Sequence, residues 1–216
     1  MQNLNYKNFT IASIITFVMG ITLLSLSFIV GKIDLFLLLN TDLGIAADWL
    51  LRIVTNAGDG AVWVAVLIIV VFGMKRKDTL PLLISSFVLS TLFTQICKYI
   101  IVPDEPRPFK AIADHSLIHT VDGVDVHLIS SFPSGHTATA FTVYILFSLL
   151  IRKNWWLVAG LIYGLAVGYS RVYLAQHFPL DVSAGMLVAV LSVALSVPVQ
   201  KAFNKRASRK NLTQSA

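Results

Sequence analysis

Residues 9–30 read FTIASIITFVMGITLLSLSFIV, a stretch without charged side chains that lies between Lys7 and Lys32. An α-helix needs roughly 20 apolar residues to cross the hydrocarbon core of a bilayer. This stretch is too long for the core of a secretory signal peptide, and no obvious small-residue cleavage site follows it. We therefore predict a transmembrane helix that stays in the protein as an anchor.

Five further apolar stretches follow, at residues 57–74, 79–102, 137–151, 155–170 and 181–199. The chain of 216 residues is 56% hydrophobic and 13% charged, which does not suit the exterior of a soluble globule. Between the first two stretches, apolar residues recur at helical spacing over residues 43–54, which is typical of an interfacial amphipathic helix. The sequence therefore predicts an all-α fold, a six-transmembrane-helix bundle with an interfacial helix in the first outer loop.

The charges predict the orientation of this bundle. With the amino terminus in the cytoplasm, most of the 17 basic residues fall on the inside: Lys7, Lys75, Arg76, Lys77, Arg152, Lys153, Lys201, Lys205, Arg206, Arg209 and Lys210. All acidic residues except Asp78 fall on the opposite side. The positive-inside rule thus favours cytoplasmic termini. It also explains the net charge of +6 without a role in nucleic-acid binding.

The chain shows no internal repeat and no linker between domains. We predict a single membrane-embedded domain at residues 1–204 and a basic, disordered cytoplasmic tail at residues 205–216. Cys97 is the only cysteine, so no intrachain disulfide is possible. The longer loops lie on the outer side, where we expect the functional site.

Three polar clusters lie at predicted outer helix ends: Lys98 with Arg107-Pro108, the segment SFPSGH at residues 131–136, and Ser170-Arg171 followed by His177 and Asp181. Charged groups at the membrane boundary are costly, so their grouping indicates an anion site. Lys98, Arg107 and Arg171 have the charge to neutralise a phosphoryl group, as metal ions do in many phosphatases. We therefore predict no metal and no cofactor.

The second and third clusters also suit phosphoryl chemistry. Ser134, Gly135 and His136 begin a predicted helix, whose free N–H groups hold phosphate oxygens and whose glycine permits close approach. Asp181 follows His177 by four residues, so its carboxylate is placed to orient the imidazole and stabilise its cation.

These clusters resemble the motifs of the type 2 phosphatidic acid phosphatase superfamily, which includes bacterial acid phosphatases and vanadium haloperoxidases. The resemblance covers residues 98–181 and departs from the family only in the eight residues between Lys98 and Arg107, because the family spacing is usually shorter. It implies that His177 is the nucleophile, that Asp181 orients it, and that His136 protonates the leaving oxygen and then activates water. The phosphate-binding residues it implies are Lys98, Arg107, Ser134, Gly135 and Arg171.

The leading hypothesis is therefore a lipid phosphatase of a bacterial cytoplasmic membrane, with its site on the extracytoplasmic side and membrane lipids as its surroundings. The resemblance offers phosphatidate, phosphatidylglycerol phosphate, undecaprenyl diphosphate and lipid A phosphate as substrates, and the sequence does not choose among them or set the oligomeric state. A haloperoxidase and a transporter remain as alternatives. A metal site at Asp114, His115 and His119 lacks a convincing ligand set.

Overall fold

The computed structural model describes residues 4–214, and the surroundings of side chains through residue 208. This part of the chain is helical and contains no β-strand. The α-helices are α1 (Tyr6–Ile29), α2 (Lys32–Leu39), α3 (Ile45–Val54), α4 (Val62–Ile68), α5 (Leu80–Ile96), α6 (Pro108–Ala111), α7 (Gly135–Leu150), α8 (Trp155–Tyr173) and α9 (Pro179–Gln214). Helices α4 and α5 continue as π-helical turns, at Ile69–Gly73 and Cys97–Ile101.

Helix α7 forms the centre of the bundle. It packs against α1, α5, α8 and α9, and nearly every residue from Thr137 to Leu150 is buried. Close packing depends on small residues of α8: a Cβ atom on Gly160 would lie 2.6 Å from the Tyr144 ring, and one on Gly164 would lie 3.2 Å from the Phe141 ring. The amino-terminal end of α7 is thereby fixed against its neighbours, and this is the end that carries the SFPSGH motif.

Three helical segments are long and apolar enough to cross a membrane: Tyr6–Ile29, Lys77–Ile101 and Pro179–Ser208. The segments Ile45–Gly58 and Val62–Gly73, bent by 63° relative to each other, count as a fourth if they form one span. These apolar helices indicate an integral membrane protein. A helix also occupies each of the other predicted stretches, but α7 has only 16 residues, and the count of six crossings stays a prediction.

The second apolar stretch differs locally from its prediction. We expected a helix from residue 57, but α4 begins at Val62 after a 3₁₀ turn over Thr55–Gly58. The intervening turn is closed by Asp59, whose side chain accepts a hydrogen bond of 2.8 Å from the backbone N–H of Ala61. The segment at residues 55–61 matters for the site because it contains Gly58 and Gly60.

The first outer loop contains two helices, α2 and α3. Helix α3 coincides with the predicted amphipathic helix, and its location at the membrane interface stays a prediction. At the other end of the chain, α9 continues through Gln214, within the tail that we predicted to be disordered. Residues 215 and 216 lie outside the described residues, and the division into a domain at 1–204 and a tail at 205–216 stays a prediction.

Candidate active site

The amino-terminal ends of α7 and α9 are joined at the SFPSGH motif. Ser134 is the N-cap of α7, and its hydroxyl accepts hydrogen bonds from the Thr137 backbone N–H at 3.4 Å and the Thr137 hydroxyl at 2.9 Å. Its own backbone N–H donates to the Asp181 carbonyl at 3.0 Å. A Cβ atom on Gly185 would lie only 2.7 Å from the Ser134 carbonyl oxygen. The glycine therefore lets α9 approach the motif directly.

His177 and Asp181 meet in the turn that leads into α9. Both side chains are 2% exposed, with His177 Nδ1 3.4 Å from Asp181 Oδ2. This Oδ2 atom also accepts hydrogen bonds from the Ser131 hydroxyl at 2.5 Å and from the Phe178 backbone N–H at 2.9 Å. This separation allows an ion pair only when the imidazole is protonated, and Nδ1 makes no hydrogen bond within residues 4–208. The carboxylate is therefore fixed by two donors and faces the imidazole.

Lys98 and Arg107 converge on the loop before the motif. Lys98 Nζ donates to the Ser130 carbonyl at 2.6 Å, and Arg107 Nη2 approaches the same carbonyl at 3.5 Å. Arg107 also donates to the carbonyls of Ile129 and Gln176, both at 2.9 Å. The structure thus brings Lys98 and Arg107 together despite their unusually long spacing. The extra residues lie in the π-helical end of α5 and the following turn.

Arg171 lies in the last turn of α8 and is buried. Its Nη1 donates to the Thr55 hydroxyl at 2.5 Å, while its Nε has no hydrogen-bond partner in the described part of the chain. An unpaired donor on a buried guanidinium is costly. Arg171 thus retains the capacity to bind an anion.

The charges of Lys98, Arg107 and Arg171 all act on His177. Its pKa is lowered well below the usual 6.5, first by burial and then by the positive charges of Arg107, Arg171 and Lys98, with a smaller contribution from His136. Burial disfavours the charged imidazolium, and nearby cations add to this effect. His177 is therefore neutral near pH 7, the form in which an imidazole nitrogen acts as a nucleophile.

His136 lies in the first turn of α7 and lines a cavity of about 210 Å³, which we call the His136 cavity. Its other lining residues are Gly58, Gly60, Ser90, Thr91, Thr94, Gln95, Gly135 and Thr139. Gly58 packs closely here, since its Cβ atom would lie 2.9 Å from the His136 carbonyl oxygen. His177 is not among the lining residues, so the two histidines have different surroundings, one in a cavity and one buried.

The residues considered as an alternative metal site, Asp114, His115 and His119, do not form a ligand cluster among the described residues. His115 stacks on Phe109 with ring centres 4.0 Å apart, and Asp114 accepts hydrogen bonds from Ser116. His119 instead pairs with Asp48, at 3.0 Å from Nε2 to Oδ1. Together with Asp42 these two residues place their ligand atoms within 4.8 Å of one another, but Asp48 already accepts a hydrogen bond from Tyr173.

Several supporting residues were not singled out from the sequence. Thr55, Ser131 and Gln176 hold Arg171, Asp181 and Arg107 respectively. Ser131 stands within the quoted motif, so its position signalled a role without specifying one. Gly58 and Gly185 carry no sequence signal of their own, because their importance depends on helices that are distant along the chain.

Comparisons with known proteins concern the family and the fold of this chain. An undecaprenyl-diphosphatase of Sulfolobus acidocaldarius is 31% identical over 170 residues, 78% of each chain. The undecaprenyl-diphosphatase BcrC of Bacillus subtilis is 39% identical over 88 residues, 40% of this chain and 41% of that protein. The crystal structure of Aquifex aeolicus LpxE superimposes with a TM-score of 0.65 and 28% identity, covering 76% of this chain and 93% of that one.

The family model of the PAP2 superfamily matches residues 79–205. This range contains all three polar clusters. The relatives of this chain include proteins named as phosphatases, which supports the enzyme class expected from the sequence. The chain therefore belongs to the PAP2 superfamily and is a hydrolase of phosphoric esters or diphosphates.

Proposed function

We propose that this protein is a metal-independent lipid phosphatase that acts through a phosphohistidine intermediate, and that its substrate is a prenyl diphosphate. The observation that carries the proposal is the buried pair of His177 and Asp181. The carboxylate is held by Ser131 and Phe178, at 2.5 and 2.9 Å, and faces the imidazole at 3.4 Å. The cations of Lys98, Arg107 and Arg171 act on the same imidazole.

In the first step, His177 forms a bond from Nε2 to phosphorus. Nδ1 lies toward Asp181, which leaves Nε2 as the attacking nitrogen and lets the carboxylate stabilise the positive charge that develops on the ring. The bond from phosphorus to the leaving oxygen breaks, and His136 gives a proton to that oxygen. Burial and the charge of Arg171 lower the pKa of His136 to about 4 in the free protein, so this role requires the negative charge of the bound substrate to raise that pKa. Lys98, Arg107 and Arg171 bind the phosphoryl oxygens, aided by the N–H groups that begin α7 after Ser134 and Gly135.

In the second step, neutral His136 takes a proton from a water molecule, whose oxygen forms a new bond to phosphorus. The bond from Nε2 to phosphorus breaks, and inorganic phosphate is released. Each histidine thereby returns to its starting state. The three cationic side chains supply the charge stabilisation that metal ions supply in other phosphatases.

The names of two relatives favour undecaprenyl diphosphate as the substrate. Phosphatidate, phosphatidylglycerol phosphate and lipid A phosphate are the other candidates.

We propose that the site faces the extracytoplasmic side, with both termini in the cytoplasm, because basic residues are concentrated in the opposite loops.

The test is phosphate release by the protein purified in detergent, with a chelator present and a panel of lipid phosphates as substrates. We expect undecaprenyl diphosphate to be hydrolysed most efficiently by wild type and no release by His177→Ala. Acid-labile radioactive phosphate should accumulate on His136→Ala, in which hydrolysis of the intermediate is slow. His115→Ala, whose exposed ring stacks on Phe109, is the matched control and should behave as wild type.

Two results would contradict the proposal. Activity that persists in His177→Ala would exclude this residue as the nucleophile. Activity that is lost with the chelator and restored by a divalent cation would exclude a metal-independent reaction.

A further inference from the structure

Lys32 contacts two segments that meet at the pair of His177 and Asp181. It is the first residue of α2 and follows the first apolar stretch of the sequence. Its Nζ atom forms an ion pair with Glu105 Oε1 at 2.8 Å, and the same atom lies over the Phe178 ring, 5.0 Å from its centre. A cation is attracted both to a carboxylate and to the face of an aromatic ring. Lys32 therefore joins α2 to two segments that are distant along the chain.

The contact with Glu105 leads to the Ser131 hydroxyl. The carbonyl oxygen of Glu105 accepts a hydrogen bond of 3.0 Å from the Ser131 backbone N–H, and the Arg107 backbone N–H donates to the Leu128 carbonyl at 2.9 Å. These two hydrogen bonds fix the segment before α6 against the loop before α7. An ion pair that holds Glu105 thus also limits the position of Ser131, whose hydroxyl donates to Asp181 Oδ2 at 2.5 Å.

The contact with Phe178 leads to the second donor of the same carboxylate. The Phe178 backbone N–H donates to Asp181 Oδ2 at 2.9 Å. The buried Phe178 ring also packs edge-on against Phe36 of α2, with the ring centres 5.5 Å apart. Lys32 and Phe36 are four residues apart in α2, so they lie on one face of the helix. This face holds the Phe178 ring between a cation and a second ring.

The two contacts of Lys32 converge on one oxygen atom. Within residues 4–208, Asp181 Oδ2 accepts its hydrogen bonds from the Ser131 hydroxyl and the Phe178 backbone N–H, and Lys32 holds the segments that carry both donors. The side chains of Lys32 and Glu105 are 35% and 28% exposed, and an ion pair with this exposure contributes little to stability by itself. Its consequence is instead geometric, because a displacement of about 1 Å in a site can slow a reaction roughly a hundredfold.

We propose that Lys32 is a positioning residue for His177: it fixes both hydrogen-bond donors of Asp181, and the carboxylate in turn fixes the imidazole. This inference rests on the proposed function, in which Asp181 orients the attacking nitrogen of His177. It gives α2, a helix of the first outer loop, a part in catalysis. The spacing of residues in the sequence does not indicate this role, because the contacts of Lys32 are with residues distant along the chain.

The test is steady-state phosphate release from undecaprenyl diphosphate by Lys32→Met, which keeps a long side chain but removes its charge. We expect kcat to fall about tenfold and KM to stay within about twofold of wild type, because the imidazole is less well positioned while the proposed phosphate-binding side chains are unchanged. Lys32→Arg keeps a cation that binds carboxylates and stacks on rings, so its kcat should lie within about threefold of wild type. Lys110→Met is the matched control, since Lys110 is exposed and forms no ion pair within residues 4–208.

A second variant, Glu105→Gln, separates the two contacts and keeps the proposal testable if Lys32→Met does not fold. It removes the negative charge of the ion pair but leaves Lys32 over the Phe178 ring, so kcat should fall by a smaller factor than in Lys32→Met. Because this contact acts through Ser131, the same change made in a Ser131→Ala background should lower kcat by less than about twofold further.

Three results would overturn the inference. They are a wild-type kcat in both Lys32→Met and Glu105→Gln, a raised KM with unchanged kcat in these variants, and a loss from Glu105→Gln that is as large with Ser131→Ala as without it. Activity that persists in His177→Ala would instead overturn the proposed function, and the inference with it.

Discussion

Replacing Ser131 with alanine tests how the pair of His177 and Asp181, which we propose to be catalytic, is held. The Ser131 hydroxyl donates to Asp181 Oδ2 at 2.5 Å, and the other hydrogen bond to this oxygen comes from the Phe178 backbone N–H at 2.9 Å. A hydrogen bond to a charged group contributes about 1.5–3 kcal/mol. Without this hydrogen bond the carboxylate orients His177 less well. If the whole hydrogen-bond energy is lost in the transition state, the reaction rate falls about tenfold to hundredfold. We therefore expect Ser131→Ala to retain weak activity.

The effect should appear in kcat rather than in KM, because Ser131 is fully buried and acts through Asp181. The assay is phosphate release over a range of substrate concentrations, together with the rate of phosphoenzyme formation in a single turnover. Ser183→Ala is the matched control: this serine is equally buried, but its hydroxyl donates to the Leu180 carbonyl of its own helix at 2.6 Å. The reasoning is refuted if Ser131→Ala keeps the wild-type kcat, or if both variants lose activity equally.

Three further predictions concern packing and protonation. Gly185→Val should lower the free energy of unfolding by about 1–3 kcal/mol, as overpacking does, because its Cβ atom would lie 2.7 Å from the Ser134 carbonyl oxygen; a melting temperature in detergent equal to that of Gly73→Val would contradict this. Asn40→Ala should cost about 1–3 kcal/mol, since Asn40 donates to the carbonyls of Val172 and Tyr173 at 3.0 and 2.8 Å; chemical denaturation measures it, and an unchanged midpoint would count against it. The lowered pKa of His177 means that its neutral form persists as the pH falls, so the acid limb of kcat/KM assigned to it should lie below about pH 6.5; a limb at or above that value in the free enzyme would be inconsistent.

The proximity of the candidate site residues was largely predictable because their motifs are local. The SFPSGH segment contains both the N-cap, Ser134, and the candidate acid, His136, so one helix start fixes their relation. His177 and Asp181 are also close in sequence, and the turn before α9 brings them to 3.4 Å. Lys98 was harder to place, because its distance from Arg107 depends on the path of the intervening turn. In the structure both side chains reach the Ser130 carbonyl, and the contact of Lys98 with phosphate stays a prediction.

The fold was less predictable in its details. Hydropathy located every long helix, since each must cover its backbone polar groups and present apolar side chains. It did not locate the turn between α3 and α4, where Asp59 closes a short break in an otherwise apolar region. It also gave no sign that α2 and α8 are joined through Asn40, because hydrogen bonds to backbone carbonyls leave no pattern of residue types in the sequence.

The sequence by itself determined the helical class, the membrane character and the candidate phosphate-binding residues, because these depend on composition, periodicity and spacing within short segments. Only the tertiary structure decided which residues support those groups. Thr55, Ser131, Gln176 and the close-packed Gly58 and Gly185 act across distances of tens of residues. Such contacts exist only after the helices have packed.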